Sequence, residues 1–240
     1  MILGLSLARG GSKGLHRKNI AECAGKPLLQ WTIEAAKASK KLNRYIVSTD
    51  DPGIGDFAES LCVEVKWRPN TMAGDNVNRL DVILDLLKWH KDLANCNVIV
   101  LLQPTSPVRL AGLIDECIED FEVNNYDTYH TGFWRQADQF IPWVNNRITR
   151  QTMPRAFYDD GNIYIARREN LMTGNPGNIG TKILSEWENV EVDSFADLKF
   201  AEAALLCQST FMSAESAEVS ESSGFAWNTV RKTALIAGYE

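Results

Sequence analysis

A basic, glycine-rich loop follows the first apolar segment of the sequence and is the strongest candidate for chemistry. Roughly 18 residues separate Ala8 from Pro27, whereas a strand-to-helix connection usually takes about two to six. The loop has glycines that let its backbone approach a ligand, and it carries four cations, Arg9, Lys13, Arg17 and Lys18. At the carboxyl end of a strand such a loop suits a triphosphate. A solvated surface loop is the alternative.

A second candidate lies where the apolar run Asn97–Leu102 ends in Gln103 and a proline-rich stretch. We expect Gln103 at the carboxyl end of that strand, beside the basic loop. Its amide both donates and accepts hydrogen bonds, so it can read a sugar hydroxyl or a base edge. A simple turn is the alternative, and the sequence leaves both open.

Paired acids form a third candidate. Glu191 and Asp193 follow a β-like run, in which alternation puts both carboxylates on one face. Hard oxygens beside a triphosphate suit Mg²⁺, which binds through one or two carboxylates plus substrate phosphates. Exposed acids at a strand end are the alternative. For a similar pair, Asp50 and Asp51, we prefer a turn that opens a helix at Pro52.

A basic stretch supplies the fourth candidate. An arginine fork is the usual receptor for a carboxylate. One or two members of this stretch could therefore hold an acidic second substrate. Its members are Arg135, Arg147, Arg150 and Arg155.

The elements that must position these residues alternate between short β-branched runs and longer helical ones. This alternation predicts an α/β fold with a parallel sheet covered on both faces. The predicted strands are Ile2–Ala8, Arg44–Ser48, Cys62–Lys66, Asn97–Leu102, Asn162–Ala166 and Asn189–Val192. The predicted helices are Pro27–Lys40, Asp75–Leu93, Leu110–Val123 and Phe195–Leu206.

The pattern changes towards the end of the chain. Aromatic and basic residues with hairpin-like runs extend from about residue 124 to 158. Residues 208–223 hold six serines and three glutamates without a basic residue, which predicts a linker or mobile segment. We therefore expect one domain over residues 1–207 and a linker with a tail over residues 208–240.

Composition excludes several classes of protein. Apolar residues make up 45% of the chain and charged residues 23%, as in ordinary globular proteins. The net charge of −6 argues against a nucleic-acid-binding protein, which usually carries a basic face. Five scattered cysteines and three histidines favour neither a disulfide framework nor a histidine metal cluster. No apolar run reaches the ~20 residues that span a bilayer, so we expect a cytoplasmic protein.

Seven short motifs, taken in order, resemble those of the acylneuraminate cytidylyltransferases, also called CMP-sialic acid synthetases. The resemblance spans roughly residues 1–206, and the first and fifth motifs together are the most specific. The motifs are Ala8–Asn19, Gly25–Leu29, Val47–Asp50, Arg68–Pro69, Leu102–Pro107, Gly161–Tyr164 and Val192–Asp197.

The resemblance implies a fold and an activity. The fold is a Rossmann-like mixed sheet of the nucleotide-diphospho-sugar transferase type, with a small inserted β-rich dimerisation region within about residues 124–158. The activity is the transfer of CMP from CTP to the anomeric hydroxyl of a nine-carbon α-keto acid sugar, with release of pyrophosphate. Mg²⁺ is the implied cofactor, and a homodimer is the implied assembly.

The resemblance also implies roles for individual residues. Arg9, Lys13 and Lys18 would offset charge on the leaving pyrophosphate and, with Asp193, form the catalytic group. Asp193 and Glu191 would bind the metal. The sugar acid would meet Gln103, Arg150 and Tyr164. CTP would contact Arg9, Ser12, Lys13, Lys18, Asn19, Arg68 and Gln103.

Three positions depart from the usual pattern of that family. His16 stands where proline is common, and Glu191 replaces the commoner aspartate of the metal pair. Asp160 stands where asparagine is usual, and an acid near the sugar site could change which acceptor fits. Rival functions are a nucleotidylyltransferase for a Kdo-type eight-carbon acid or for a sugar or polyol phosphate, and a non-catalytic nucleotide-binding homologue.

Overall fold

The computed structural model describes residues 1–12, 14–74, 76–136 and 155–218. The chain divides into two compact units, Met1–Leu205 and Leu206–Glu240. The first unit contains the sheet and every candidate residue that the structure describes. In the second unit, the described residues are helical. No helix among the residues described is long and apolar enough to cross a membrane.

Strands and helices alternate along the first half of the chain, as the sequence predicts. The described strands are β1 (Ile2–Leu7), β2 (Glu22–Cys23), β3 (Lys26–Pro27), β4 (Arg44–Thr49), β5 (Glu64–Trp67), β6 (Val98–Leu102), β7 (Thr128–Gln136), β8 (Arg155–Arg167) and β9 (Ile179–Ile183). The described helices are α1 (Leu28–Ala38), α2 (Pro52–Ser60), α3 (Arg79–Trp89), α4 (Leu113–Val123), α5 (Arg168–Thr173) and α6 (Phe195–Glu218).

A seven-stranded mixed sheet organises the first unit, with strand order β5-β4-β1-β6-β8-β7-β9, and β2 and β3 form a separate pair. The strands β5, β4, β1 and β6 are parallel. By contrast, β8 is antiparallel to both β6 and β7, and β9 is parallel to β7. The predicted mixed α/β fold is confirmed. The wholly parallel sheet expected from strand–helix alternation is wrong for the second half, because β8 enters the sheet in the opposite direction.

Side-chain alternation along the central strands builds a core on both faces of the sheet. Leu3 and Leu5 of β1 pack on one face against Ile83 of α3. Leu102 of β6 packs on the other face against Ile118 of α4. Burial of each such side chain stabilises the fold by about 1.5–3 kcal/mol. Helices on both faces therefore hold the strand ends in fixed positions.

The pairing of β1 with β6 brings two candidate segments to one edge of the sheet. The strands are neighbours and in register, with Leu5 opposite Leu101. Because both run in the same direction, the basic loop leaves β1 where Gln103 follows β6. Open α/β sheets bind their ligands at this edge, outside the carboxyl ends of the strands.

The helix α3 is shorter than the one predicted over Asp75–Leu93. Asn78 caps it, since its side chain accepts a hydrogen bond from the N–H of Leu80 at 2.9 Å. Val77, which the apolar spacing places on the helix, precedes it and instead lines a cavity at the carboxyl edge of the sheet. An asparagine cap thus sets the start of the helix, and the apolar spacing alone does not reveal it.

Two further predictions differ from the structure. The helix α6 continues past the predicted end at Leu206, so that residues 208–218 are helical. Its alanines and glutamates favour helix, and serine costs only a fraction of a kcal/mol in a helix. The strand predicted over Asn189–Val192 does not form. Instead the N–H of Val192 donates to the carbonyl oxygen of Thr105 at 2.7 Å, which docks this extended segment on the turn after β6.

Candidate active site

A cavity of about 470 Å³ lies at the carboxyl edge of the sheet, and we call it the larger cavity. A smaller cavity of about 210 Å³ adjoins it and is lined in part by Tyr164. Lys13 and Arg150, two further predicted site residues, lie outside the described residues. The structure thus brings together seven predicted residues in the larger cavity, namely Arg9, Ser12, Lys18, Asn19, Arg68, Gln103 and Asp193.

Two acids at the end of β4 hold the basic loop. Asp50 Oδ1 accepts a hydrogen bond from the N–H of Gly10 at 3.3 Å. Asp51 Oδ1 accepts one from Arg17 Nη2 at 2.9 Å. Asp51 is also the N-cap of α2, with Pro52 in the first turn, which confirms the predicted turn into a helix. These two contacts tie the first part of the loop to the end of β4.

Asn19 ties the loop to its own beginning. The residue is buried, and its Nδ2 donates to the carbonyl oxygen of Arg9 at 2.9 Å. This bond uses one of the two amide donors that the side chain has. Asn19 therefore shapes the loop directly, whatever it also contributes to a ligand in the cavity.

Lys18 and Asp193 meet at the mouth of the larger cavity. Lys18 Nζ lies 2.6 Å from Asp193 Oδ1, with side chains 15% and 72% exposed respectively. The basic loop also crosses the backbone of residue 193 so closely that a Cβ on Gly14 would collide with its carbonyl oxygen. A glycine is required here because only hydrogen atoms fit between the two segments. The carboxylate and the loop are consequently held side by side.

The second acid of the predicted pair, Glu191, stands close to this contact. It flanks the buried Val192 on one side while Asp193 flanks it on the other, and both acids are exposed. Partial desolvation, and then the charge of Asp193, raise the pKa of Glu191 above its ordinary value. Among the described residues no three His, Cys, Asp or Glu side chains gather into a metal-binding group. The pair alone can still supply the one or two carboxylates that Mg²⁺ uses beside phosphates.

Arg68 follows β5 and presents a buried guanidinium to the larger cavity. Its Nη2 lies 3.5 Å from Asp50 Oδ1, and its side chain is only 7% exposed. Burial lowers the pKa of Arg68, and the charge of Asp50 acts in the opposite direction. Its buried Nε donates to no atom of the described residues. An orphaned donor of this kind points to a polar ligand in the cavity.

Gln103 and Tyr164 belong to a hydrogen-bonded chain that also contains Arg79. Gln103 Oε1 accepts from Arg79 Nη1 at 2.8 Å, and Gln103 Nε2 donates to the carbonyl oxygen of Gly161 at 2.8 Å. The Arg79 guanidinium carbon lies 5.1 Å from the centre of the Tyr164 ring. The Tyr164 hydroxyl donates to Asp159 Oδ2 at 2.8 Å. The segment that follows β6 is thereby joined to β8 by side-chain contacts.

Arg79 is the residue of this site that the sequence analysis misses. It is the first residue of α3 and lines both cavities. A cation in the first turn of a helix opposes the helix dipole, which favours acids there. This unfavourable placement could have marked Arg79 as a functional residue. It is visible only when the helix is known to begin at Arg79, whereas the sequence analysis begins it at Asp75.

Asp160 does not face the cavities, contrary to the expectation that its acid lies near the sugar site. The residue is 4% exposed. Its Oδ1 accepts from Thr131 Oγ1 at 2.6 Å and from the N–H of Asn162 at 2.8 Å. Burial raises the pKa of Asp160. An irregularity in β8 explains the difference, because its register with β7 shifts between the pairs His130–Tyr164 and Gly132–Asp159. Regular alternation would place Asp160 on the face of Tyr164, whereas the acid bonded to Tyr164 is Asp159.

Arg109 lies buried beneath the site and joins three elements. Its Nη1 donates to Thr32 Oγ1 at 2.8 Å. Its Nη2 donates to the carbonyl oxygens of Gln103 at 2.7 Å and Asn162 at 2.9 Å. Burial lowers the pKa of Arg109 to about 10, so the guanidinium is still charged at neutral pH. It therefore fixes the backbone of Gln103 relative to α1 and β8.

Replacing Arg109 by methionine is expected to lower the free energy of unfolding by about 3–5 kcal/mol, because three buried acceptors would lose their donor. Urea denaturation measures this loss as a lower midpoint at an unchanged slope. The exposed Lys40→Met variant is the control and should stay within about 0.5 kcal/mol of the unmodified protein. An equally small change in Arg109→Met would show that water can replace the guanidinium.

Sequence comparison identifies the family. A sequence profile described as cytidylyltransferase matches residues 3–186 of the chain. The N-acylneuraminate cytidylyltransferase A of Danio rerio is 31% identical over 187 residues, which are 72% of this chain and 43% of that protein. The post-translational flagellin modification protein B of Campylobacter coli is 27% identical over 219 residues, which are 84% of this chain and 93% of that protein.

The name of another bacterial relative contains a different acid. The CMP-N,N'-diacetyllegionaminic acid synthase of Legionella pneumophila is 38% identical over 124 residues, which are 51% of this chain and 53% of that protein. The chain thus spans about half or less of the Danio and Legionella proteins, and most of the Campylobacter protein.

Structural comparison agrees with the family. A CMP:2-keto-3-deoxy-manno-octonic acid synthetase in complex with CTP superposes with a TM-score of 0.67 at 18% identity, covering 87% of this chain and 99% of that one. A 4-diphosphocytidyl-2C-methyl-D-erythritol synthase from Anaerococcus prevotii superposes with a TM-score of 0.59 at 13% identity, covering 85% and 98%. At these identities the likeness concerns the fold, which is that of the nucleotide-diphospho-sugar transferases. Because the profile covers most of the chain, this protein belongs to the cytidylyltransferase family.

Proposed function

We propose that this protein transfers CMP from CTP to the anomeric hydroxyl of a nine-carbon α-keto acid sugar of the sialic acid type. The observation that carries the proposal is one cavity whose wall combines the cations Arg9, Lys18 and Arg68 with the carboxylate of Asp193. Its volume of about 470 Å³ is in the range of small-molecule sites. Clustered cations beside one acid suit a triphosphate better than a neutral ligand.

The triphosphate would lie against the basic loop. In the reaction a bond forms between the sugar hydroxyl oxygen and the α-phosphorus, while the bond from that phosphorus to the pyrophosphate breaks. Catalysis of such a transfer is mainly positioning and neutralisation of charge. Arg9 and Lys18 would offset the charge of the leaving pyrophosphate. Lys13, predicted for the same role, lies outside the described residues.

The nucleoside end of CTP would lie nearer to Arg68 and Ser12, with Asn19 supporting the loop. Arg68 is desolvated and keeps a buried Nε without an acceptor among the described residues. A cytosine or ribose oxygen placed there would satisfy it. Asp50 holds the guanidinium in position from behind, through the contact of 3.5 Å.

Asp193 and Glu191 fit a divalent cation of the Mg²⁺ type. Their oxygens are hard ligands, and the Lys18 ammonium on Asp193 shows that positive charge is favoured at that carboxylate. Magnesium, when bound, would neutralise phosphate oxygens and orient them. The contribution of the chain is to hold both acids at the cavity mouth, on either side of the anchored Val192.

The acceptor would bind beyond the nucleotide, at Gln103 and Tyr164. The names of the Danio and Legionella relatives contain acylneuraminate and diacetyllegionaminic acid, which supports a nine-carbon acid. A phosphorylated acceptor would need extra cations at this end. Asp159 and Glu191 instead add negative charge there, which disfavours a phosphate group more than it disfavours a single carboxylate. Arg150, predicted to meet this carboxylate, lies outside the described residues.

Pyrophosphate release tests the proposal. The assay contains CTP, Mg²⁺ and a panel of α-keto acid sugars, including N-acetylneuraminic, legionaminic, pseudaminic and Kdo-type acids, with ATP, GTP and UTP as controls. Turnover with CTP and a nine-carbon acid supports the proposal and names the acceptor. Preference for the eight-carbon acid or for a sugar phosphate overturns the nine-carbon assignment.

A thermal-shift measurement separates the non-catalytic alternative. If CTP raises the melting temperature while no acceptor gives product, the protein binds nucleotide without transferring it. A homodimer built on the region within residues 124–158, a domain boundary at residue 207 and a cytoplasmic location stay predictions. Size-exclusion chromatography with light scattering tests the first of these directly.

A further inference from the structure

The two cavities share part of their lining, because two described residues line both of them. These residues are Arg79 and Leu101. Leu101 belongs to β6, whereas Arg79 begins α3 and extends a charged side chain to the boundary. Arg79 is also the only charged residue among the described ones that line the smaller cavity. Of the two described residues that the cavities share, Arg79 is the charged one.

Arg79 is held in place but keeps donors for a ligand. Its Nη1 donates to Gln103 Oε1 at 2.8 Å and lies 3.5 Å from the Tyr164 hydroxyl oxygen. The guanidinium also lies over the Tyr164 ring. Both polar contacts use the same nitrogen, Nη1. The edge formed by Nη2 and Nε makes no hydrogen bond to the described residues, so no such bond has to break before it meets an anion. A guanidinium edge matches a carboxylate in a bidentate geometry.

The chemistry of the acceptor requires its carboxylate at this boundary. In an α-keto acid sugar the carboxylate carbon is bonded directly to the anomeric carbon, which carries the reacting hydroxyl. In the proposed function that hydroxyl reaches the α-phosphorus in the larger cavity, and the smaller cavity is the neighbouring space for the remaining carbon chain. The group that holds the carboxylate must consequently stand where the two cavities meet, as Arg79 does.

The charges around Arg79 favour the same conclusion. Asp159 is bonded to the Tyr164 hydroxyl, and Glu191 is within electrostatic reach of Arg79. Without a cation these acids would repel an acidic acceptor. Arg79 lies among them and offsets that repulsion at the one place where a carboxylate has to enter.

We propose that Arg79 is the receptor for the acceptor carboxylate and that it selects acids over uncharged sugars. This inference rests on the proposed function. It also assigns the acceptor carboxylate to a residue of the same chain at the mouth of the nucleotide cavity. The smaller cavity would then receive the carbon chain of the acceptor, where Ile83, Ile99 and Leu171 offer apolar contacts.

A mutant cycle between protein and acceptor tests the proposal. Initial rates are measured with CTP, Mg²⁺ and either the best acid of the panel or its C1 carboxamide, which keeps the shape and loses the charge. In the unmodified protein we expect the carboxamide to lower kcat/KM by about 10- to 100-fold. In Arg79→Met we expect the two acceptors to differ by less than about threefold, with the KM for CTP changed by less than about threefold. Arg79→Lys should restore part of the preference for the acid.

Two controls make the outcomes distinct. Lys40→Met removes an exposed cation that lines neither cavity and should behave as the unmodified protein. Equal melting temperatures exclude misfolding of the Arg79 variants. If Arg79→Met keeps the full preference for the acid, the carboxylate is held elsewhere and the proposal is overturned. It is also overturned if the KM for CTP rises as much as that for the acid, since Arg79 would then bind nucleotide. Failure of the unmodified protein to use any acid would instead reject the proposed function.

Discussion

Replacing Asp193 by alanine is expected to lower Mg²⁺-dependent pyrophosphate release by at least about 10³-fold. Asp193 is the acid that lines the larger cavity, and its Oδ1 attracts the Lys18 ammonium at 2.6 Å. Removal of this carboxylate leaves Glu191 as the remaining acid of the proposed metal pair. The loss is measured as kcat over a series of Mg²⁺ concentrations, together with the KM for CTP.

The Mg²⁺ series separates two roles that Asp193 could have. If Asp193 only anchors Lys18, then Asp193→Ala should lose activity to the same extent as a Lys18 variant, and the Mg²⁺ concentration for half-maximal rate should not change. If Asp193 binds the metal, that concentration should rise strongly. The exposed Asp56→Asn variant, remote in sequence and outside both cavities, is the control. Unaltered turnover in Asp193→Ala would move the metal site elsewhere.

The sequence predicts the position of the basic loop and of Gln103 well because both belong to local segments. The basic loop is contiguous and begins at the end of β1, so its position follows from a single strand. Gln103 follows β6 by the same reasoning, and parallel pairing brings both to one edge. Each of these inferences needs only one strand, its end and the known location of ligands on such sheets.

The surroundings of Tyr164 are harder to predict, because they depend on which way individual side chains point. Asp159 and Asp160 are adjacent, yet one is bonded to Tyr164 and the other is buried against Thr131. Regular alternation along β8 would place Asp160 on the face of Tyr164, and the shift in register between β7 and β8 reverses this. Arg79 depends on the start of α3, which an asparagine cap decides. Neither the shift in register of β8 nor the start of α3 follows from the spacing of apolar residues in the sequence.

Replacing Lys18 by methionine is expected to lower kcat/KM for CTP by about 10²–10³-fold, the scale for loss of one preorganised charge donor. Lys18 begins the short 3₁₀ turn Lys18–Ile20, which fixes the direction of its side chain. The ammonium lies at the cavity mouth, where charge would develop on the leaving pyrophosphate. Methionine keeps much of the apolar stem and removes only the charge. The exposed Lys40→Met variant serves as the matched control.

The stability of the Lys18 variant shows whether its loss of activity comes from the missing charge or from unfolding. Asp193 is largely exposed, and an ion pair of this kind contributes at most about 1 kcal/mol to stability. We therefore expect a melting temperature close to that of the unmodified protein, together with the large fall in kcat/KM. A double variant with Asp193→Ala should lose less than the product of the two single losses, because the two groups act on the same phosphates. Wild-type-like turnover in Lys18→Met would remove Lys18 from the catalytic group and leave Arg9 as the described cation of the basic loop that lines the cavity.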